Sequence, residues 1–221
     1  RRQSYRFRIA GRSNQEDKMG SDHSPLWWNI KVVAHQTMRS AKSLTMQSPI
    51  ELSSTQMQAW MERLIERARR FGERGEVPVS AIVLDHRGRC IGHGINQREL
   101  NNDPLGHAEL MAIQQACRLR GDWRLNDCTL LVTLEPCPMC AGALVQARVG
   151  QVIFAATDPK RGAMGSTVNL ATHTSAHHRM TVIGGVQDEE AKDMLSRSFK
   201  QRQRRSDGTG EAPFLTDSKT S

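Results

Sequence analysis

The feature that most constrains this chain is a pair of cysteines, Cys137 and Cys140, which directly follows Pro136. The apolar residues 128–134 before the pair predict a strand, and the Ala/Gly/Leu/Val-rich run after it predicts a helix. Residues at positions i and i+3 of a helix share one face, so both sulfur atoms can reach the same ion. The positive end of the helix dipole also favours the thiolate form that a metal requires. The spacing therefore predicts a metal site on the first turn of a helix.

Cysteines at this spacing occur in zinc sites and in redox proteins, so residues elsewhere must distinguish the two. Upstream, His107 and Glu109 form a His-x-Glu motif at the start of a second predicted helix. His107 would supply a third ligand, and three protein ligands leave the fourth tetrahedral position of a zinc ion open to water, as in catalytic zinc sites. Glu109 points away from His107, but from the first turn it can still reach that water. A His-x-Glu motif with a later Pro-Cys-x-x-Cys is the signature of zinc-dependent deaminases.

These residue types favour hydrolytic deamination of a cyclic amidine. A zinc ion held by one imidazole and two thiolates brings the pKa of its bound water towards neutrality. Glu109 is then predicted to take the proton of that water, pass it to a ring nitrogen and protonate the leaving amine.

Charge and cysteine usage limit the class of protein. The net charge is +8 and the pI is near 9.7, which suggests a polyanionic partner such as nucleic acid, although many basic proteins have none. An odd number of cysteines, 5, without regular spacing argues against a disulfide framework. Cys90, Cys117 and Cys128 are predicted to be buried in apolar surroundings. No segment approaches the roughly 18 apolar residues of a membrane span.

Composition divides the chain into three parts. Residues 1–52 are predicted to be a disordered or spurious N-terminal extension, residues 53–203 the zinc deaminase domain, and residues 204–221 a disordered polar tail. The extension is basic, contains serines and is poor in acidic residues, as organellar transit peptides are. Because a disordered or spurious extension is the favoured interpretation, we expect a cytoplasmic protein; a plastid or another organelle is the alternative if the extension is a transit peptide.

Hydrophobic periodicity predicts helices that alternate with strands. Such alternation favours an α/β fold, with helices on both faces of a mixed sheet. The expected architecture is a three-layer α-β-α sandwich around a five-stranded mixed sheet. The predicted helices are 53–71, 107–119, 137–148 and 188–203; the predicted strands are 77–84, 90–95, 128–134, 151–156 and 181–186; and residues 96–106 are predicted to be a polar loop.

Six short stretches together form a family pattern: Glu76-Val77-Pro78-Val79, Asn96, Asp103-Pro104, His107-Ala108-Glu109, residues 133–143 and residues 158–166. With this pattern, the chain from Trp60 to about Arg205 resembles the bacterial-type tRNA adenosine deaminases of the cytidine deaminase-like superfamily. The two zinc motifs are common to that whole superfamily. The Thr-Leu-Glu before Pro136 and the stretch 158–166 resemble the tRNA branch, not the guanine or deoxycytidylate deaminases.

The resemblance implies an enzyme that converts the wobble adenosine of an arginine tRNA anticodon to inosine, with one Zn²⁺ per subunit. It also implies a homodimer whose active sites lie near the subunit interface, with the anticodon loop splayed over it. In this pattern Asn96 contacts the target nucleotide, and Asp158 contacts the neighbouring ribose or backbone. Phosphate contacts are expected from Lys160, Arg161 and the basic end of the last helix, which contains Arg202. Base stacking would rest on Phe199 alone, where the family usually has adjacent aromatics.

Two alternatives stay open from the sequence. The first is a guanine or other free-base or nucleotide deaminase of the same fold, against which the net charge and the basic last helix argue. The second is a non-catalytic, zinc-stabilised RNA-binding protein, against which Glu109 and the open fourth ligand position argue. An assay of activity on RNA and on a free base distinguishes the first alternative from a tRNA deaminase. Turnover of any substrate excludes the second alternative.

Overall fold

The computed structural model describes residues 47–206, with side chains up to residue 204. Most of the predicted N-terminal extension and of the predicted tail lie outside the described residues, so both stay predictions. No helix within the described range is long and apolar enough to cross a bilayer. The elements in chain order are α1 (Ser54–Gly72), β1 (Ser80–Leu84), β2 (Cys90–Ile95), α2 (Arg98–Asn101), α3 (Ala108–Arg120), β3 (Thr129–Leu134), α4 (Pro138–Gln146), β4 (Gln151–Ala156), β5 (Thr181–Ile183) and α5 (Asp188–Ser206).

The strands form one five-stranded mixed sheet in the order β2-β1-β3-β4-β5. β1 is antiparallel to both of its neighbours, β2 and β3. β3, β4 and β5 are parallel, and α4 connects the first two of them. The predicted sheet is therefore confirmed.

Helices cover both faces of this sheet, because successive strand residues point to opposite sides. Val83 and Val132 pack into one buried cluster with residues of α3 and α4. Their neighbours Ile82 and Leu131 pack into a second cluster with residues of α1 and α5. This arrangement confirms the predicted three-layer α-β-α sandwich.

Two glycines of β2 allow α3 to lie directly against the strand. A Cβ atom on Gly94 would lie 2.0 Å from the carbonyl oxygen of Ala108, and one on Gly92 would lie 2.2 Å from that of Ala112. No side chain fits at either position without moving the helix. The first turn of α3, which follows His107, is therefore held against the end of β2.

Several predicted boundaries differ from the structure. β1 begins at Ser80, three residues later than predicted, because Pro78 has no N–H and Val79 donates its own to Val77 instead. β5 ends at Ile183, before two glycines, and the predicted polar loop contains the single turn α2.

The prediction for the three remaining cysteines was right only for Cys128, which is buried. Cys117 is half-buried and Cys90 is exposed. Cys90 is the first residue of the edge strand β2, so no neighbouring strand covers it on that side.

Candidate metal centre

The metal-binding motifs lie at the N-termini of two helices that meet at one edge of the sheet. His107 precedes α3 and Cys137 precedes α4, each with an extended backbone and without a side-chain hydrogen bond that caps its own helix. Pro138 is the first residue of α4, and proline is tolerated at that position because the first residue of a helix has no intrahelical partner for an N–H group. The imidazole and the thiol are therefore not engaged in capping.

The three predicted ligands come together as the sequence predicts. The Nδ1 atom of His107 lies 3.7 Å from Sγ of Cys137 and 3.4 Å from Sγ of Cys140. All three donor atoms lie within 4.8 Å of one another. One imidazole nitrogen and two sulfurs form a donor set that suits zinc, and three protein ligands leave one position open. These residues therefore fit the implied zinc ion, and Nδ1 is the nitrogen of His107 that lies near both sulfurs.

The two thiols share protons unequally. The hydrogen bond from Cys140, with a further one from His107, lowers the pKa of Cys137 to about 3. The same bond to Cys137, together with burial, raises the pKa of Cys140 far above its ordinary value. The hydrogen bond with Cys137 also raises the pKa of His107. The cluster thus already favours a thiolate at Cys137, and a bound cation would favour the thiolate form at both sulfurs.

Glu109 lies beside this cluster without belonging to the three-atom donor set. It is the second residue of α3, its residue surface is only 4% exposed, and its carboxyl interacts with Cys140. Burial raises the pKa of this carboxyl above its ordinary value. A buried carboxyl next to the ligands is in the position that the sequence predicts for a proton carrier.

Asn96 follows β2 and is held by a buried carboxylate that sequence analysis did not assign a role. Its Nδ2 atom donates a hydrogen bond of 2.8 Å to Glu76, whose other carboxylate oxygen accepts one of 2.8 Å from the backbone of Leu100. Gln97 then pairs through its backbone N–H with Gly106, directly before His107. The amide of Asn96 is thereby fixed, and its carbonyl oxygen remains as the group that can accept a hydrogen bond from a ligand.

The predicted RNA contacts of the stretch 158–166 lie on the loop after β4. Oδ1 of Asp158 accepts hydrogen bonds of 2.9 Å from the backbone N–H of Lys160 and 3.1 Å from that of Arg161. Asp158 is half-buried, whereas Lys160 and Arg161 are exposed. Asp158 therefore shapes the turn that presents two cationic side chains to solvent.

Glu135 anchors this loop, a role that the sequence did not reveal. The residue is 2% exposed and accepts hydrogen bonds from the backbone N–H groups of Asp158, Met164 and Ser166, and from the hydroxyl of Ser166. Burial alone would raise the pKa of Glu135, but these bonds outweigh it and hold the pKa below its ordinary value. The available signal was a single acidic residue between an apolar strand and the metal-binding turn.

The last helix differs in part from the expectation. Phe199 is 51% exposed on α5, which suits the predicted stacking role. Arg202, one of the expected phosphate contacts, instead donates to the backbone oxygen of Gly75 and to Glu99, both at 3.0 Å. This arginine therefore links α5 to α2.

Comparisons with known proteins agree with this geometry. The family model of MafB19-like deaminases matches residues 55–201. The tRNA-specific adenosine deaminase of Bacillus subtilis is 43% identical over 147 residues, which are 66% of this chain and 91% of that protein. The tRNA(Ile)-lysidine synthase of Deinococcus radiodurans is 42% identical over 163 residues, which are 73% of this chain but only 28% of that longer protein.

Among solved structures, one from studies of A-to-I editing by tRNA:A34 deaminases at the wobble position of transfer RNA superimposes with a TM-score of 0.59. Its sequence is 38% identical, and the match covers 62% of this chain and 98% of that chain.

Proposed function

The chain belongs to the MafB19-like deaminases by its family model and to the tRNA-specific adenosine deaminases by its relatives. On this premise we propose that it converts the wobble adenosine of an arginine tRNA anticodon to inosine. The reaction consumes one water and releases one ammonia. The observation that carries the proposal is the group of one imidazole and two sulfurs within 4.8 Å of one another, with the buried carboxyl of Glu109 beside it.

His107, Cys137 and Cys140 would hold one zinc ion per subunit. When bound, the ion would acidify a water molecule so that a nucleophile is available at neutral pH. Glu109 would accept the proton of the attacking water and deliver it to the adenine ring nitrogen next to the reacting carbon. The same carboxylate would then take the proton of the newly added hydroxyl and pass it to the leaving amino group, which departs as ammonia while the carbonyl of inosine forms. Its burial beside the ligands keeps bulk water from competing for that proton.

Recognition would rest on the groups that surround this centre. The carbonyl oxygen of Asn96, fixed by Glu76, would accept a hydrogen bond from the target nucleotide. Asp158 would contact the neighbouring ribose or backbone, and a base of the loop would stack on Phe199. A single-stranded anticodon loop is a suitable partner because its unstacked bases expose their faces and edges. Lys160 and Arg161 would neutralise phosphates on the same strand.

The homodimer is part of the proposal. An apolar groove of about 740 Å³ lies between α3 and α4, lined by residues that include Ile113, Cys117, Trp123, Ala143 and Ala147. Trp123 is 48% exposed there. The groove is lined by the middle and C-terminal parts of α3 and α4, and the candidate site lies at the N-termini of the same two helices, so a second subunit on the groove would pack against both helices that hold the site. We therefore propose that the subunit contact is at this groove.

The proposal is tested with an unmodified arginine tRNA anticodon stem-loop that carries adenosine at the wobble position. After incubation and digestion to nucleosides, inosine is quantified, with free adenine, guanine and cytidine assayed in parallel. A second stem-loop with guanosine at the wobble position and adenosine elsewhere in the loop is the matched control. Inosine from the first stem-loop only is the expected result. Turnover of a free base without inosine would assign the chain to the small-molecule deaminases, and no turnover at all would favour the non-catalytic alternative.

A further inference from the structure

Glu135 stands out because one short loop surrounds its carboxylate. Four hydrogen bonds reach its two oxygens, three from backbone N–H groups and one from the hydroxyl of Ser166. The backbone donors are the N–H groups of Asp158, Met164 and Ser166. We call residues 158–166 the 158–166 loop. A single carboxylate therefore connects the two ends of this loop.

The loop is built to approach that carboxylate closely. A Cβ atom on Gly162 would lie 2.2 Å from a carboxylate oxygen of Glu135, so a side chain there would displace one of the two. The N–H of Ala163 donates to the backbone oxygen of Pro136 at 2.9 Å. The backbone N–H of Glu135 itself donates to Ala156 at 2.8 Å. The loop is thus attached to the segment that leads into Cys137 through both side chain and backbone.

The carboxylate of Glu135 is not paired with the cationic side chains of the loop. Within the described part of the chain, the partners of its carboxylate are backbone N–H groups and one hydroxyl. Lys160 and Arg161 contribute no side-chain contact to it and are exposed. A buried anion that is satisfied by backbone donors fixes the path of the loop and leaves both positive charges on the outer surface.

We propose that Glu135 is a positioning residue for RNA recognition: its carboxylate holds the 158–166 loop against the metal-binding turn, so that Lys160 and Arg161 meet the RNA backbone in a fixed place. The inference rests on the proposed function, because it assumes that RNA is the ligand of this loop. Glu135 lies two residues before Cys137, so the residue that fixes the loop is joined by two peptide bonds to a metal ligand. Glu135 therefore acts through other residues and does not contact the substrate.

The variant Glu135→Gln tests the charge with little change in shape. A glutamine has one acceptor oxygen, and its amide group would present donors to the N–H groups of the loop. We expect the Kd for a stem-loop with inosine at the wobble position, which is not turned over, to rise about tenfold. With the adenosine stem-loop, KM should rise by a similar factor while kcat changes by about threefold or less. Metal content and the circular dichroism spectrum should match those of the wild type.

A double-mutant cycle distinguishes positioning from general damage. If Glu135 acts through Lys160 and Arg161, then Glu135→Gln should weaken binding by no more than about twofold in a Lys160→Ala/Arg161→Ala background. If the Kd increases of Glu135→Gln and of the double alanine variant multiply, the two sites act independently and the inference is overturned. A fall in kcat of Glu135→Gln without a rise in KM would overturn it as well. The buried Glu76, which does not contact the 158–166 loop, provides the matched control. The fold-increase in Kd caused by Glu76→Gln should multiply with the fold-increase caused by the Lys160→Ala/Arg161→Ala double variant.

The binding measurement also separates this inference from the proposed function. Wild-type protein that binds the stem-loop without forming inosine contradicts the proposed function, and the cycle still decides the role of Glu135. Wild-type protein that does not bind the stem-loop at all overturns the inference itself.

Discussion

The side-chain amide of Asn96 is tied to the carboxylate of Glu76 by a hydrogen bond of 2.8 Å, although the two residues lie 20 positions apart. Glu76 is fully buried, and its second oxygen accepts the backbone N–H of Leu100 in α2. One carboxylate therefore orients the amide of Asn96 and holds the loop that leads to His107.

The variant Glu76→Gln should lose substrate recognition without losing metal. A glutamine keeps an oxygen at one of the two positions and has an NH2 group, which only donates, at the other, so the amide of Asn96 can lose its acceptor and turn. We expect kcat/KM on the stem-loop to fall roughly ten- to a hundredfold. The free energy of unfolding should fall by about 1–3 kcal/mol, because a buried donor is left without its partner.

Glu66→Gln is the control for this change, since Glu66 pairs with Arg69 and Arg70 on the outer face of α1. Exposed pairs of this kind contribute little to stability, so the free energy of unfolding and kcat/KM should stay near the wild-type values. Unchanged kcat/KM in Glu76→Gln would show that Asn96 does not need this orientation.

Metal binding should depend on two of the five cysteines and not on their number. Replacement of Cys137 or Cys140 by serine removes one of three ligands, so the protein should lose its zinc on dialysis against a chelator. Cys90→Ser and Cys117→Ser should retain about one zinc per subunit, because neither thiol belongs to the donor group. Elemental analysis of the purified variants makes the comparison, and zinc loss in either control variant would contradict the assignment.

Lys160 and Arg161 should account for part of the salt dependence of RNA binding. Each cation that neutralises a phosphate of a single strand contributes about −0.7 to the slope of log K against log salt concentration. The double alanine variant should therefore flatten that slope by about 1.4. The double variant Arg69→Ala/Arg70→Ala, which removes two exposed arginines of α1, is the control and should leave the slope unchanged. Equal slopes in wild type and Lys160→Ala/Arg161→Ala would place the phosphate contacts elsewhere.

The groove between α3 and α4 should be the dimer contact. Ala143→Arg introduces a charged side chain into its apolar lining, so the variant should elute as a monomer and scatter light as one. Ala59→Arg, on an exposed position of α1, should remain a dimer. A dimeric Ala143→Arg protein would move the interface away from this groove.

The grouping of the candidate metal donors could be predicted from the sequence because each donor belongs to a short motif whose spacing fixes its geometry. His107 and Glu109 share one helix turn, and Cys137 and Cys140 share another, so only the meeting of two helices had to be inferred. The fold followed in the same way from local periodicity. The prediction of the sheet rested on the alternation of apolar strand segments with amphipathic helix segments along the sequence.

The supporting carboxylates could not be predicted, because their roles depend on partners that are distant in sequence. Glu135 accepts hydrogen bonds from residues as far as 31 positions away, and these come from backbone groups that every residue possesses. Arg202 is a residue whose predicted role differs from its observed contacts for the same reason. Its charge at the end of a basic helix indicates phosphate binding, but its carboxylate partner, Glu99, lies 103 positions earlier.

The central claim is tested most directly by single-turnover inosine formation in the wobble-adenosine stem-loop, with wild-type protein and Glu109→Gln at matched zinc content. Glutamine keeps the size of the side chain but cannot carry the proton. The wild type should convert the wobble adenosine, and the variant should be slower by about 10²- to 10⁴-fold while it retains its zinc. A variant within a few-fold of the wild-type rate, or a zinc-loaded wild type that forms no inosine, would contradict the account.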